Sequence, residues 1–131
     1  MSVIIGFFTD YQQNLWLDQF FSQTHYLGLL TSKPSRSAQT EVISTGGTGY
    51  TRVPIPSGTF NLASVGSTYN NTPIIFPVPS GNWGTVYGVG IYDSLTAGNL
   101  QAVIAATNTT VISSGDPSLV IASGALNVNR S

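Results

Sequence analysis

From Val53 to Tyr92 the chain carries no Asp, Glu, Lys or Arg. A stretch that long without charge supplies no carboxylate or ammonium for acid–base or ionic chemistry. It can build sheet and bury against other protein without stranding an unpaired ion. Inside it lies the run Ser80-Gly-Asn-Trp-Gly-Thr-Val-Tyr-Gly-Val-Gly-Ile-Tyr-Asp93, in which aromatic and β-branched residues alternate with Gly or polar ones. Pro73-Ile-Ile-Phe-Pro77 precedes this run and the turn-like Thr96-Ala-Gly-Asn99 follows it. Alternation of period two, bounded by turn residues, is the signature of half-buried strands.

The same pattern recurs along the chain. Tyr26–Leu30, Glu41–Ser44, Tyr50–Val53, Thr59–Val65, Ile74–Phe76, Thr85–Tyr92, Leu100–Ala106, Thr109–Ile112, Leu119–Ala122 and Ala125–Val128 read as short strands. Turn signals every 8–12 residues or so point to a sandwich or barrel. Pro54 and Pro56 end the Tyr50–Val53 segment, because proline cannot donate to an inner ladder. One helix is expected over 10–22. Thr9-Asp10-Tyr11-Gln12 has the spacing of a capping box, and Tyr11/Leu15, Leu17/Phe21 and Trp16/Phe20 are paired at i,i+4. The fold expected is all-β: a jelly-roll-like antiparallel β-sandwich, residues 1–131 as a single domain, with one short N-terminal α-helix. Residues 1–9 are an arm or strand.

At 131 residues a chain buries roughly two-thirds of its unfolded surface, enough for a core without staples. It has no cysteine, which removes disulfides, thiolate metal sites and a Cys nucleophile. Charged residues are 7% of the chain, against roughly 25% in ordinary soluble domains. No window approaches the ~18 apolar residues of a spanning helix, so no membrane partner is expected. Nucleic acid is not expected either, since Lys33, Arg36, Arg52 and Arg130 are too few for a multi-phosphate footprint. Of these, Lys33, Arg36 and Arg52 could form a local basic spot. With a net charge of −1, copies of the chain repel one another little.

The candidate chemistry is thin. His25 is the only histidine; a nucleophilic triad needs it beside a Ser and an Asp, and a metal site needs further ligands. Asp10, Asp18, Glu41, Asp93 and Asp116 are scattered, whereas a hydrolytic carboxylate pair must face one cleft. Asp93 and Asp116 stand where Asp commonly forms turns. Gly46-Gly47-Thr48-Gly49 lacks the Lys-Ser/Thr and the helix of a phosphate loop. No catalytic residue, cofactor or metal site is therefore expected. Trp83 is the candidate core anchor. Gly88 and Gly90 alternate with Val89 and Ile91, leaving bare backbone on one face for a ring or chain to approach. Val3, Ile4, Ile5, Phe7 and Phe8 are candidate assembly contacts, too apolar to lie in water and too short to span a membrane.

The ordered set Tyr26-Leu-Gly-Leu, Thr31-Ser-x-Pro34, Gly49-Tyr-Thr-Arg52, Ile75-Phe-Pro77, Asn82-Trp-Gly-Thr-Val86, Val89-Gly-Ile-Tyr-Asp93, Gly98-Asn-Leu100, Ser114-Gly-Asp116 and Ala122-Ser-Gly-Ala-Leu126 resembles a family of small tailed-phage virion proteins. Its members are often labelled tail fibre or structural proteins. The resemblance runs from Asn14 to Val128 and takes in the helix segment Leu17-Asp-Gln-Phe-Phe21. It implies a compact β-sandwich used many times on a virion. The function expected is a non-enzymatic capsid decoration (cement) subunit. The alternatives are a tail-tip or tail-fibre/adaptor subunit, and a carbohydrate-binding module stacking a host glycan on Trp83, Tyr87 and Tyr92. The partners expected are other copies of itself, a trimer being favoured, and the major capsid protein or tail proteins.

Overall fold

The computed structural model describes Val3 and residues 6–129. Helix α1 spans Asp10–Phe20, with Thr9 as its N-cap: the Thr9 hydroxyl accepts from the Gln12 N–H at 3.3 Å. The helix stops at Phe20, short of residue 22, and Gln19 O, one of the carbonyls left without a helical partner, accepts from both the Ser22 hydroxyl at 2.6 Å and the Ser22 N–H at 3.3 Å. Leu17 is its one buried residue, joined by Phe21 just beyond its end. The broad apolar face expected from Tyr11 and Leu15 is not used, since both are exposed.

Polar side chains dock the helix instead. Asn14 Oδ1 accepts from the Gly66 N–H and Asp18 Oδ1 from the Ala63 N–H, each at 2.8 Å. These residues stand four apart and so share one helix face. Their target is a two-residue hairpin turn. Val65 and Gly66 have φ of 54° and 69°, and Ser64 and Ser67 exchange backbone hydrogen bonds across them. Positive φ at both central positions matches the twist of the flanking strands. Val65 is therefore the turn and not the end of a strand.

The strands in chain order are β1 His25–Leu30, β2 Val53–Ile55, β3 Ser67–Tyr69, β4 Ile74–Ile75, β5 Gly84–Tyr92, β6 Leu100–Ile112, β7 Val120–Ile121 and β8 Asn127–Asn129. They pair as one four-stranded sheet, β2-β1-β5-β6, and two two-stranded ladders, β3-β8 and β4-β7. Every pairing is antiparallel, so the chain is all-β with one short helix. Pro54 lies inside β2 opposite Tyr26 instead of ending a strand. The sheet tolerates it because β2 is an edge. The two segments expected at Leu100–Ala106 and Thr109–Ile112 are one strand, β6. Its register to β5 jumps from Gly88↔Ala105 to Val86↔Thr110, so residues 106–109 bulge out past Tyr87.

Along β1 the period of two sends Leu27 and Leu29 to the same face as Ile91, and all three are fully buried. Phe21, Phe60, Ile74, Phe76 and Leu126 complete the same cluster, with Phe21 and Phe60 stacked at 4.0 Å. The opposite face of β1 carries Tyr26, Gly28 and Leu30. The candidate site is built over that face.

Candidate functional site

Gly28 of β1 pairs with Gly90 of β5. Neither has a side chain, so the sheet there is a flat patch of backbone. A Cβ at Gly28 would stand 2.6 Å from Glu41 Oε2, 2.9 Å from the Tyr50 hydroxyl and 3.0 Å from the Tyr92 ring. One at Gly90 would meet the same ring at 3.1 Å and Leu100 at 2.8 Å. The two glycines thus admit four side chains, Glu41, Tyr50, Tyr92 and Leu100, to the backbone. Gly88 does comparable work beside the bulge, where a Cβ would strike the Ile104 carbonyl oxygen.

On this patch the Arg52 guanidinium lies over the Tyr92 ring, 3.5 Å from its centroid. Arg52 Nη2 reaches Glu41 Oε1 at 2.9 Å and Nε reaches Oε2 at 3.0 Å, the fork geometry that suits a carboxylate. Nη1 donates to the carbonyls of Ser94 and Ala97 at 2.7 Å each. The Tyr50 hydroxyl donates to Glu41 Oε2 at 2.5 Å and accepts from the Leu29 N–H at 2.9 Å. One buried arginine thereby ties together the entry to β2, the isolated bridge that Glu41 makes with Leu30 at the end of β1, and the β5–β6 loop.

The electrostatics follow from burial. Burial raises the Tyr50 phenol far above its ordinary range, and the hydrogen bond to Glu41 adds to the rise. Burial, then the Glu41 charge, raises Tyr92 as well, with Arg52 opposing. Burial works against the Arg52 charge, but its bonds and attraction to Glu41 hold the guanidinium more firmly protonated than in water. Arg52 is therefore a paired interior cation and not part of a basic surface spot with Lys33 and Arg36.

The remaining polar candidates also have structural work. His25 is buried; its Nε2 bonds the Phe20 carbonyl at 2.5 Å, its Nδ1 meets Gln101 Oε1 at 2.8 Å, and its ring stacks on Phe20 at 3.9 Å. It closes the C-terminal end of the helix, whose last carbonyls have no helical partner. Asp93 accepts from the Asn99 N–H at 2.7 Å and from the Asn99 side-chain amide at 2.9 Å. The first of these bonds, then the second, holds its carboxyl below the usual range. Asp116 accepts from the Ser113 N–H at 2.8 Å. No three His, Asp or Glu side chains among the described residues come together as metal ligands. No described helix is long and apolar enough to cross a membrane.

Trp83 is 4% exposed; its Nε1 donates to the Thr48 carbonyl at 2.7 Å and its ring meets Tyr50 edge-on at 5.3 Å. Tyr92 is buried too, and Tyr87 is half-buried. Two of the three rings expected to stack a glycan thus offer no free face. Of the candidate assembly contacts, Val3 and Phe7 are exposed at 89% and 93%, while Phe8 packs edge-on against Trp16 at 4.5 Å. Ile4 and Ile5 lie outside the described residues. Residues 7–129 match the family model described as podophage GP4 fiber I protein gp80. No curated protein matches the chain.

Proposed function

Because the chain belongs to the podophage GP4 fiber I protein gp80 family, a family of virion structural proteins, we propose that it is a non-enzymatic subunit of the fibre and not of the capsid lattice. The family match over residues 7–129 carries this reading. The fibre alternative fits the family's description, and the decoration reading draws no separate support from it. Small size and low charge suit any structural part used in many copies.

The non-enzymatic part draws on the polar inventory. Glu41, Asp18, Asp93, Asp116 and His25 each hold a backbone or side-chain partner that shapes the fold. A sandwich is the architecture that best suits the packing. The ladders β3-β8 and β4-β7 send Val128, Ile74 and Ile121 to the same core that Leu27 and Ile91 enter from the four-stranded sheet. The neighbours proposed are further copies of the chain, three being favoured, and tail proteins. Quantitative mass spectrometry of purified virions tests the assignment: a fibre subunit is present in dozens of copies at most, and hundreds would return the chain to the capsid lattice.

A further inference from the structure

We propose that the free edge of β6, from Gln101 to Ala105, takes the N-terminal segment Val3–Phe7 of a second copy of this chain as an added strand. Strand β6 is the last in the order β2-β1-β5-β6, and no described strand pairs with its outer side. The Asp93 N–H donates to the Asn99 carbonyl, so alternation along β5 aims the backbone of Ile91 and Val89 at β6 as well. Opposite them stand Ala102 and Ile104. Their neighbours Val103 and Ala105 therefore aim N–H and C=O outward.

Sheet edges are ordinarily blunted by charge, proline or a bulge. Leu100–Ile112 holds neither a charged residue nor a proline. Its register to β5 slips twice, at Gln101 between Ile91 and Tyr92 and again after Ala105, so the two irregularities bound the usable edge instead of removing it. Beside the edge, on the core side, runs an open apolar groove lined by Leu17, Phe20, Ala102 and Val128. An added strand would find backbone partners at the edge and an apolar bed for every second side chain.

The occupant is chosen by what the chain itself leaves exposed. Val3 and Phe7 are almost fully exposed, so they do not lie in their own chain's groove. Phe8 rests against Trp16 of its own chain and fixes the root of the arm. Val3–Phe7 matches Gln101–Ala105 residue for residue in length, and in extended form each spans about 16 Å. Alternation puts Val3, Ile5 and Phe7 on one side, as an apolar groove requires. Neither segment is charged, so neither brings an ion of its own into the pairing; Arg36 of the neighbouring loop borders the other side of the edge. The pairing is independent of where on the virion the chain sits.

Sedimentation velocity of the purified chain and two variants tests this. Deleting residues 2–7 removes the arm. Val103→Pro removes an outward N–H while leaving the ladder to β5 intact. The wild type is expected to associate, and each variant to sediment as a folded monomer with its thermal transition retained. Mixed together, the variants are expected to form a 1:1 complex weaker than the wild-type assembly, because one supplies the arm and the other the edge. If Val103→Pro does not fold, Val103→Lys places a charge on the same edge and is expected to give the same loss. A wild type that is monomeric at its highest soluble concentration overturns the proposal. So does assembly that survives either variant, or a mixture that forms no complex.

Discussion

The Arg52 guanidinium lies 3.5 Å above the centre of the Tyr92 ring, and from there it holds Glu41 on one side and the Ser94 and Ala97 carbonyls on the other. Arg52→Met keeps much of the stem but leaves Glu41, largely buried, without its cation. Removing one partner of such a pair costs about 3–5 kcal/mol when burial is complete. Glu41 keeps 21% of its side chain exposed, so the loss is expected near the lower limit, about 3 kcal/mol. Urea denaturation measures it. The double change Glu41→Gln with Arg52→Met is expected to recover part of the loss, and a double variant as unstable as the sum of the singles would count against the pairing.

Gly28→Ala brings a methyl into the space that Glu41, Tyr50 and Tyr92 occupy together. All three are tied to Arg52 or to one another, so none can yield alone. Forcing a methyl into a packed site costs about 1–3 kcal/mol. Gly58→Ala is a control for loss of glycine at an open turn, since nothing lies within 4 Å of its added carbon, though its φ of 91° carries strain of its own. Thermal denaturation of Gly28→Ala is expected to show a lower transition with Tyr50 fluorescence perturbed. An unchanged transition would mean that the three side chains do not press on the sheet there.

Trp83→Ala is expected to cost about 3–5 kcal/mol, the range for emptying a large buried aromatic site. Trp83→Phe keeps most of the volume and drops the bond to the Thr48 carbonyl, for about 1–2 kcal/mol. Chemical denaturation of both separates packing from hydrogen bonding. Equal losses in the two variants would contradict the burial of the ring.

Much of the fold was readable from period and punctuation. The helix start at Thr9, the strand at Tyr26–Leu30 and the long β5 followed from capping and alternation. What escaped the sequence depends on partners far along the chain. Val65 looked like a strand residue, but a two-residue hairpin drew it into positive φ. Pro54 looked like a terminator because nothing local says that β2 is an edge. The Glu41–Arg52 pair was invisible for the same reason: the residues read as scattered charges until strand register set Gly28 beside Gly90. The bare backbone at Gly90 was the one local signal that a ring would approach, and Tyr92 is that ring.

Tyr50 and Tyr92 carry a pH dependence whose sign is fixed. Both phenols are raised in the folded chain, above the ordinary value of about 10 in the unfolded one. Above that pH the unfolded chain releases protons that the native one keeps, so the stabilising contribution is present below it and falls as pH rises. Denaturation midpoints are expected to drop through the alkaline range, and ultraviolet titration is expected to show Tyr50 ionising only as the chain unfolds and Tyr92 ionising later than an exposed phenol. Six tyrosines ionising together near the ordinary value, with the fold intact, would refute the buried network.

The central claim is that this chain is a fibre-associated virion subunit. Electron cryomicroscopy of intact virions carrying a bulky label fused to this chain tests it most directly. The account predicts extra density on the fibre apparatus at the tail and none on the head shell. Label density repeated across the capsid lattice would contradict it.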